Sequence, residues 1–393
     1  MRLTVSIALA VTFVVPCGRG CYASTNDSVP ALAQALSDLP PDRSVLDLVE
    51  GTYTIASTWT IPKAGVTIRG AGIGKTILIR DPKFDGVMVN MDGANSIITG
   101  LTLDGNGTAR VIFLNRPGDV ADTIEVKNFT QIGVAVPALA FGCHISHCVV
   151  TGNQDLPLGS MAIWHDAGKR PLPTSDPLII DHNTVTGSGI YCTGGPVKIE
   201  YNHLSKNHCV TGGGGGQMDI GNAFTTNTIA IINGNSIIDG CNIKSGGIEM
   251  GGGDFTVTNN TIRNHGLAGI GVGHNAIRAT ITGNTVSNSG HYIADKNKPQ
   301  CRAGIYVMYG AGNVAISGNR CFDDQPGKTQ TWGIILVPPP SRPDPRFSPR
   351  ATDHVVIKEN DLRGNIHPEG LLDESGARDR IVGGNLPPQA NRH

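Results

Sequence analysis

"FTVTNNTIRNHGLAGIGVGHN" (residues 255–275) is followed almost at once by "ATITGNTV" (279–286) and then by "AGIYVMYGAGN" (303–313). The same pattern returns as "VAISGNRCFDD" (314–324) with "WGIILV" (332–337), and it is already present upstream as "IIDHNTVTGSGIYCTGG" (179–195). Each unit is a short alternating run, an Asn, a second short run, a loop, and then Gly-Ile-x-apolar. The Asn recurs as Asn183, Asn202, Asn235, Asn260, Asn284, Asn319 and Asn360. Strands of about three to five residues are short even for β structure, and no single unit can bury its own apolar positions. Stacked units can, because each adds one rung to parallel sheets whose strands lie about 4.8 Å apart. The pattern therefore predicts an all-β, single-stranded, right-handed parallel β-helix of about ten or more coils. Asn suits the corner because it tolerates left-handed backbone and can stack into a hydrogen-bonded ladder. A β-propeller would need four longer strands per blade and has no use for this corner.

Composition agrees. The 393 residues include 52 Gly, and aromatics are only 5%, as expected of many tight turns between short strands. The net charge of −1 lacks the basic excess that a nucleic-acid binder uses, so no nucleic-acid partner is expected. Arg2, the apolar run from Leu3 to Val15 and the small residues up to Ala23 read as a signal peptide over 1–23. The run is too short to span a bilayer. The β-helix domain is then 24–393, secreted or periplasmic, with no membrane association after cleavage. A buried N-terminal strand is the other reading of the run. Seven cysteines follow residue 23, at 143, 148, 192, 209, 241, 301 and 321. They form no CxxC pair, which argues against zinc; export permits disulfides, yet several of these cysteines suit a packed core.

"VPALAQALSDLP" (29–40) reads as a short amphipathic helix suited to cap the open end of the stack. "LDLVEGTYTIASTWTIPKAGVTIRGAGIGKTILI" (46–79) then runs strand, turn, strand. This stretch resembles the first coils of pectate-lyase-like β-helix proteins, with their "GTY…I…T…IP…VTIRGAG…T" pattern, and the later Asn/Gly-Ile units resemble the generic repeats of that superfamily. The resemblance covers roughly residues 29–385. It implies the fold and an activity on polysaccharide at an exposed sheet face. It does not choose among hydrolases, lyases, epimerases, fructotransferases and phage tailspikes. The chain lacks the "DPHE"-like signature of bacterial alginate epimerases and the "GHG" and "RIK" signatures of polygalacturonases.

Alternation in the Gly-Ile-x-apolar strand puts Ile inside and x outside. The first outward row is then Ala162, Tyr191, Asp219, Glu249, Gly271, Tyr306 and Ile335. The second is Trp164, Thr193, Gly221, Gly251, Gly273, Met308 and Val337, with His165, His274 and Tyr309 close by. Asp219 and Glu249 should be neighbours on adjacent rungs. Stacked like charges oppose stability and raise the pKa of one carboxyl relative to the other. One protonated and one ionised carboxyl is what glycosidic cleavage requires, so these two are the expected catalytic pair. Trp164, Tyr191, Tyr306 and Tyr309 would offer aromatic faces to sugar rings on both sides of it, with His165, His274 and Arg302 as further substrate contacts. The glycines would keep the surface low. No metal ligand set or cofactor is predicted, although clustered carboxylates also suit a Ca2+ ion. An outward carboxylate is also simply what a solvated strand face carries.

The loops at 165–177, 291–302 and 338–354 carry Lys169, Arg170, Lys296, Lys298, Arg302, Arg342, Arg346 and Arg350. If these overhang the face, an acidic sugar becomes a candidate substrate. The first expectation is a secreted enzyme that cleaves or transfers glycosidic bonds in an oligo- or polysaccharide. The second is a polysaccharide lyase or uronate epimerase with a Tyr or His base, among Tyr191, Tyr306, His165 and His274. The third is a non-catalytic glycan-binding surface protein. β-Helix proteins of this kind are expected as monomers or homotrimers.

Overall fold

The computed structural model describes residues 2–3, 27–39, 45–152, 160–168, 173–206, 216–222, 224, 226–240, 245–273, 275–292, 302–339 and 352–387. All but two residues of the expected signal peptide lie outside these ranges, as do His274, every loop cation named above except Arg302, and the cysteines at 17, 21, 209, 241 and 301.

The chain winds into a parallel β-helix. One face is a fourteen-stranded parallel sheet that ends at Arg380–Gly383. A second ladder holds the strands that follow each corner Asn, among them Thr184–Thr186, His203–Ser205, Ser236–Gly240, Thr261–His265 and Thr285–Ser289. A third stacks the Gly-Ile strands: β1 (Met161–Asp166), β2 (Gly189–Thr193), β3 (Gly216–Gly221), β4 (Gly246–Gly251), β5 (Ile270–Val272), β6 (Ala303–Val307) and β7 (Trp332–Leu336). Two thirteen-residue strands, Thr102–Leu114 and Glu125–Pro137, run through both of these ladders and join them. Parallel crossovers of this kind are right-handed. The inward residues Ile190, Met218, Ile248, Ile270, Ile305 and Ile334 stack with no exposed surface, which is how each three-strand unit buries what it could not bury alone.

The corner Asn residues form one continuous ladder. The Oδ1 of each accepts both the backbone N–H and the Nδ2–H of the Asn one coil earlier, at 2.9–3.0 Å, from Asn183 to Asn202, Asn235, Asn260, Asn284, Asn319 and Asn360. Asn385 adds an eighth member that the repeat pattern did not reveal. The left-handed position is not the Asn itself, as expected from sequence, but the residue before it. His182, Tyr201, Asn259 and Glu359 hold φ of 54–57°, and Gly234, Gly283 and Gly318 hold 63–67°. The preceding residue makes the turn, which frees the Asn side chain to bond along the stack.

A second polar column lies inside the wall. Ser289 donates its backbone N–H to Gln330 Oε1 at 3.2 Å, and Gln330 Nε2 donates to Asn365 Oδ1 at 2.7 Å. His265, fully buried, meets the Ile237 carbonyl through Nε2 at 3.1 Å. A carbonyl only accepts, so Nε2 carries the proton, and burial drives the imidazole pKa down to about 4.

The expected cap is present as α1 (Val29–Ser37), which buries Val29, Leu32, Ala35 and Leu36. Asp27 Oδ1 accepts from both the Val29 and Ala56 backbone N–H groups at 3.0 Å, tying the helix start to the first coil. Cys143, Cys148, Cys192 and Cys321 are all free and buried, as core fillers.

Candidate active site on the Gly-Ile sheet

Register decides which side chains meet. Asp219 on β3 lies directly beside Glu249 on β4, Tyr191 on β2 lies on the other side of Asp219, and Trp164 on β1 lies beyond Tyr191. Glu249 faces Gly271 on β5, which faces Tyr306 on β6, which faces Ile335 on β7. Sequence alternation assigned Ala162 to this row and Trp164 to the next. An irregularity between Met161 and Ile163 moves the register of β1, so Trp164 joins the row while Ala162 is fully buried. Simple alternation cannot anticipate an inserted residue.

The inserted residue also changes His165. It turns into the core, 1% exposed, beside Cys192 and with Nδ1 2.9 Å from the Val136 carbonyl. Burial lowers its pKa. It cannot reach a substrate on the outer face, contrary to the sequence expectation. Tyr306 is outward but only 8% exposed, in an apolar cluster with Ala268, Ala303 and Ile335, so it offers no open ring to a sugar. Arg302 is half-buried against Gly290, four residues before Tyr306 and two rungs past Glu249. Tyr309, half-buried, sits in the turn after β6. The register thus sets Trp164, Tyr191, Asp219 and Glu249 on consecutive rungs, with the nearly buried Tyr306 two rungs beyond Glu249 and His165 turned to the core.

The glycines explain Glu249. A Cβ at Gly271 would lie 2.2 Å from Glu249 Oε2, and one at Gly246 would lie 2.9 Å from Oε1. The carboxylate therefore lies back along the sheet in a notch that only glycine can line. Gly246 and Gly271 make room for the acid, whereas Gly271 was expected from sequence only to keep the surface low. Gly251 and Gly221 are close-packed backbone instead: a Cβ on Gly221, whose φ is +71°, would lie 2.3 Å from the Gly251 carbonyl oxygen. Inside the notch Glu249 has lost most of its water. Burial first, and the Asp219 charge second, push its pKa up to about 8, so the carboxyl carries a proton at neutral pH.

Tyr191 is oriented by polar neighbours. Thr193 Oγ1 donates to Asp166 Oδ1 at 2.7 Å, and Asp166 Oδ1 also accepts the Gly168 N–H at 2.8 Å. Thr193, whose hydroxyl donates to Asp166, also meets the Tyr191 side chain. Asn222, whose Oδ1 accepts from the Phe224 N–H, meets it as well. Burial raises the Tyr191 pKa; the Thr193 and Asn222 contacts oppose this, and Asp219 and Asp166 add to it. Sequence reasoning missed the roles of Asp166, Thr193 and Asn222. The alternation Trp164-x-Asp166 and Tyr191-x-Thr193 was the available signal for the first two. No group of three or more His, Cys, Asp or Glu positioned for a metal ion occurs among the described residues. Nor is any helix among them long and apolar enough to cross a membrane.

Residues 188–331 match the family described as "Right handed beta helix region". No curated protein matches the chain in sequence. Among solved structures, the chain is similar to the A-module of a mannuronan C-5 epimerase from Azotobacter vinelandii, with a TM-score of 0.62, 16% identity, and coverage of 91% of this chain and 96% of that one. It is also similar to the catalytic unit of a GH87 alpha-1,3-glucanase from Streptomyces thermodiastaticus, at 0.59 and 15%, covering 92% and 65%. A third similar structure is a PL6 alginate lyase in complex with a trisaccharide, at 0.60 and 14%, covering 91% and 85%. What these share with the chain is the right-handed parallel β-helix; their reactions differ.

Proposed function

We propose that this protein is a carbohydrate-active enzyme that cleaves or transfers glycosidic bonds, with Glu249 as general acid and Asp219 as base or nucleophile. The observation that carries this reading is the direct register of Asp219 with a Glu249 whose carboxylate lies in a glycine notch, where burial and the Asp219 charge raise its pKa to about 8. Two equivalent surface carboxylates would both be ionised and would simply repel. A pair whose environments pull the protonation states apart has one member ready to give a proton and one ready to take one. The Glu249 hydroxyl would protonate the leaving glycosidic oxygen as the C–O bond breaks. Asp219 would then either attack the sugar carbon or take a proton from the water that does. Tyr191 and Trp164 would support the ring beside the pair, since aromatic surfaces suit the apolar faces of sugars. The similar structures include the catalytic unit of a GH87 alpha-1,3-glucanase, which is in keeping with this use of the fold.

The test is a screen of plant, algal and bacterial polysaccharides in 18O-water, with products read by mass spectrometry. The expected outcome is incorporation of one 18O per cleaved bond, or transfer products without it. Asp219→Asn and Glu249→Gln should each lower kcat by about 10²- to 10⁴-fold. Full activity in both variants on the true substrate would end this reading.

One observation favours a second reading, elimination or epimerisation at a uronate. Tyr191 lies in direct register with Asp219 and meets Thr193 and Asn222, which would set its hydroxyl beside a bound uronate. Ultraviolet absorbance from an unsaturated uronide, lost in Tyr191→Phe, would select it over hydrolysis.

A further inference from the structure

The strands that carry the acidic pair have charges of one sign. β1 to β7 contain no Lys or Arg, and their acidic residues are Asp166, Asp219 and Glu249. The fourteen-stranded sheet of the same helix is mixed. There Arg69 pairs with Asp47 and Arg278 with Asp254, and Lys198, Lys358 and Arg380 also lie on its strands. Arg302 precedes β6, two rungs past Glu249. Asp166 is partly exposed on the same side of β1 as Trp164, with buried His165 between them. It is in direct register with Thr193, two residues beyond Tyr191 on β2. The Thr193 hydroxyl at 2.7 Å and the Gly168 N–H at 2.8 Å both donate to Asp166 Oδ1. These bonds fix the carboxylate, and its Oδ2 has no partner among the described residues. Asp166 on β1 and Asp219 on β3 thus stand on either side of the Tyr191 rung, roughly 10 Å apart along the stack. Both carboxylates oppose ionisation of the Tyr191 hydroxyl.

We infer that Asp166 is a specificity-determining residue of this site: its Oδ2 accepts from a hydroxyl of an uncharged sugar ring at Tyr191, and the face rejects uronates. The inference rests on the proposed glycosidic cleavage. A sugar hydroxyl donates to a carboxylate, whereas an ionised uronate carboxylate only accepts. Placed near Asp166 and Asp219 on strands without a cation, a uronate meets like charges in a partly dehydrated site. Such a juxtaposition is strongly unfavourable. Elimination at a uronate needs a cation to neutralise that same carboxylate, and these strands supply none.

The experiment compares matched polymers. The neutral polysaccharide cleaved in the screen is assayed beside the same polymer with its C6 hydroxyls oxidised to carboxylates, at low and at high salt. The expected result is a kcat/KM on the oxidised polymer lower by about 10²-fold at low salt. The gap should shrink as salt screens the charges, a readout that needs no variant. Asp166→Asn keeps an acceptor for Thr193 and Gly168 but removes the charge and the free acceptor. It should raise KM on the neutral polymer up to about tenfold with kcat little changed, and narrow the gap about tenfold. If the polymer cleaved in the screen is itself a uronate, or the oxidised polymer is turned over as well as its parent, the inference is overturned while Asp219 and Glu249 keep their roles. Unchanged discrimination in a folded Asp166→Asn removes Asp166 from it. Absence of turnover on every glycan, or full activity in both Asp219→Asn and Glu249→Gln, overturns the proposed cleavage and this inference with it.

Discussion

Glu249 owes its chemistry to residues that have no side chain. The 2.2 Å between its Oε2 and a Cβ at Gly271 is far inside van der Waals contact, so Gly271→Ala must expel the carboxylate from its notch. The backbone at Gly271 is an ordinary strand and accepts Ala, so the fold should survive. Released into solvent, Glu249 regains water and its pKa falls back toward its ordinary value. The expected outcome is a loss of activity on the order of 10²-fold at neutral pH, an alkaline limb shifted to lower pH, and an unchanged circular dichroism spectrum. In the native protein that limb should lie near pH 8, where Glu249 loses its proton. Tyr191 and Trp164 were legible as outward aromatics from alternation alone. The inward turn of His165 was not, because it depends on one irregular residue pair in β1.

At the scale of the element, the Asn ladder carries the corner. Asn260 Oδ1 accepts two hydrogen bonds from Asn235, and Asn260 Nδ2 bonds the Ile232 carbonyl. Asn260→Ala strands three buried polar groups that water cannot reach. At about 1–3 kcal/mol for each unsatisfied group, less what relaxation recovers, the cost should be about 4 kcal/mol, measured by urea unfolding. Asp in place of Asn keeps the acceptor but loses the donor and brings a buried charge, so it should not rescue. The ladder was read from the spacing of seven asparagines. Its eighth member, Asn385, escaped because the last coil has no Gly-Ile strand to announce it. The column through Ser289, Gln330 and Asn365 escaped for a different reason: its members are of different residue types, so no repeated letter marks them.

For the whole molecule, the pH dependence of stability follows from the same buried acids. The native pKa of Glu249 is about 8 against an ordinary 4.5, and that of Asp119 is about 7 against 3.8. In both, the folded protein holds its proton more tightly than the unfolded chain. Stability is therefore greatest below the ordinary pKa and falls as pH rises toward the native one. Asp119 is about half ionised at pH 7, so both acids contribute to the decline from pH 7 to 8, Glu249 the more. His265 acts in the other direction: its pKa is depressed to about 4, so its contribution is lost as pH falls from about 6.5 toward 4. The expected outcome is a melting temperature that drops between pH 7 and 8 in the native protein and drops less there in Glu249→Gln, where only the Asp119 share remains, read by calorimetry. An equal drop in both would remove Glu249 from this account.

Periodicity by itself determined the solenoid, the capping helix, the Asn corner and the adjacency of Asp219 to Glu249. All four follow from short-range rules: alternation within a strand, one turn residue per coil, and one rung per repeat. Tertiary structure alone decided that Trp164 joins the row of the acidic pair while His165 turns inward, that Tyr306 is nearly buried, and that Glu249 folds into a notch where burial raises its pKa. Those properties depend on what covers a residue and on how far its neighbours reach. Side chains from other coils and from the insertions between them supply that cover, and the repeat does not encode it. A stacked fold makes the position of a residue predictable from its own coil; its solvent exposure, and with it its charge, is set by the coils on either side.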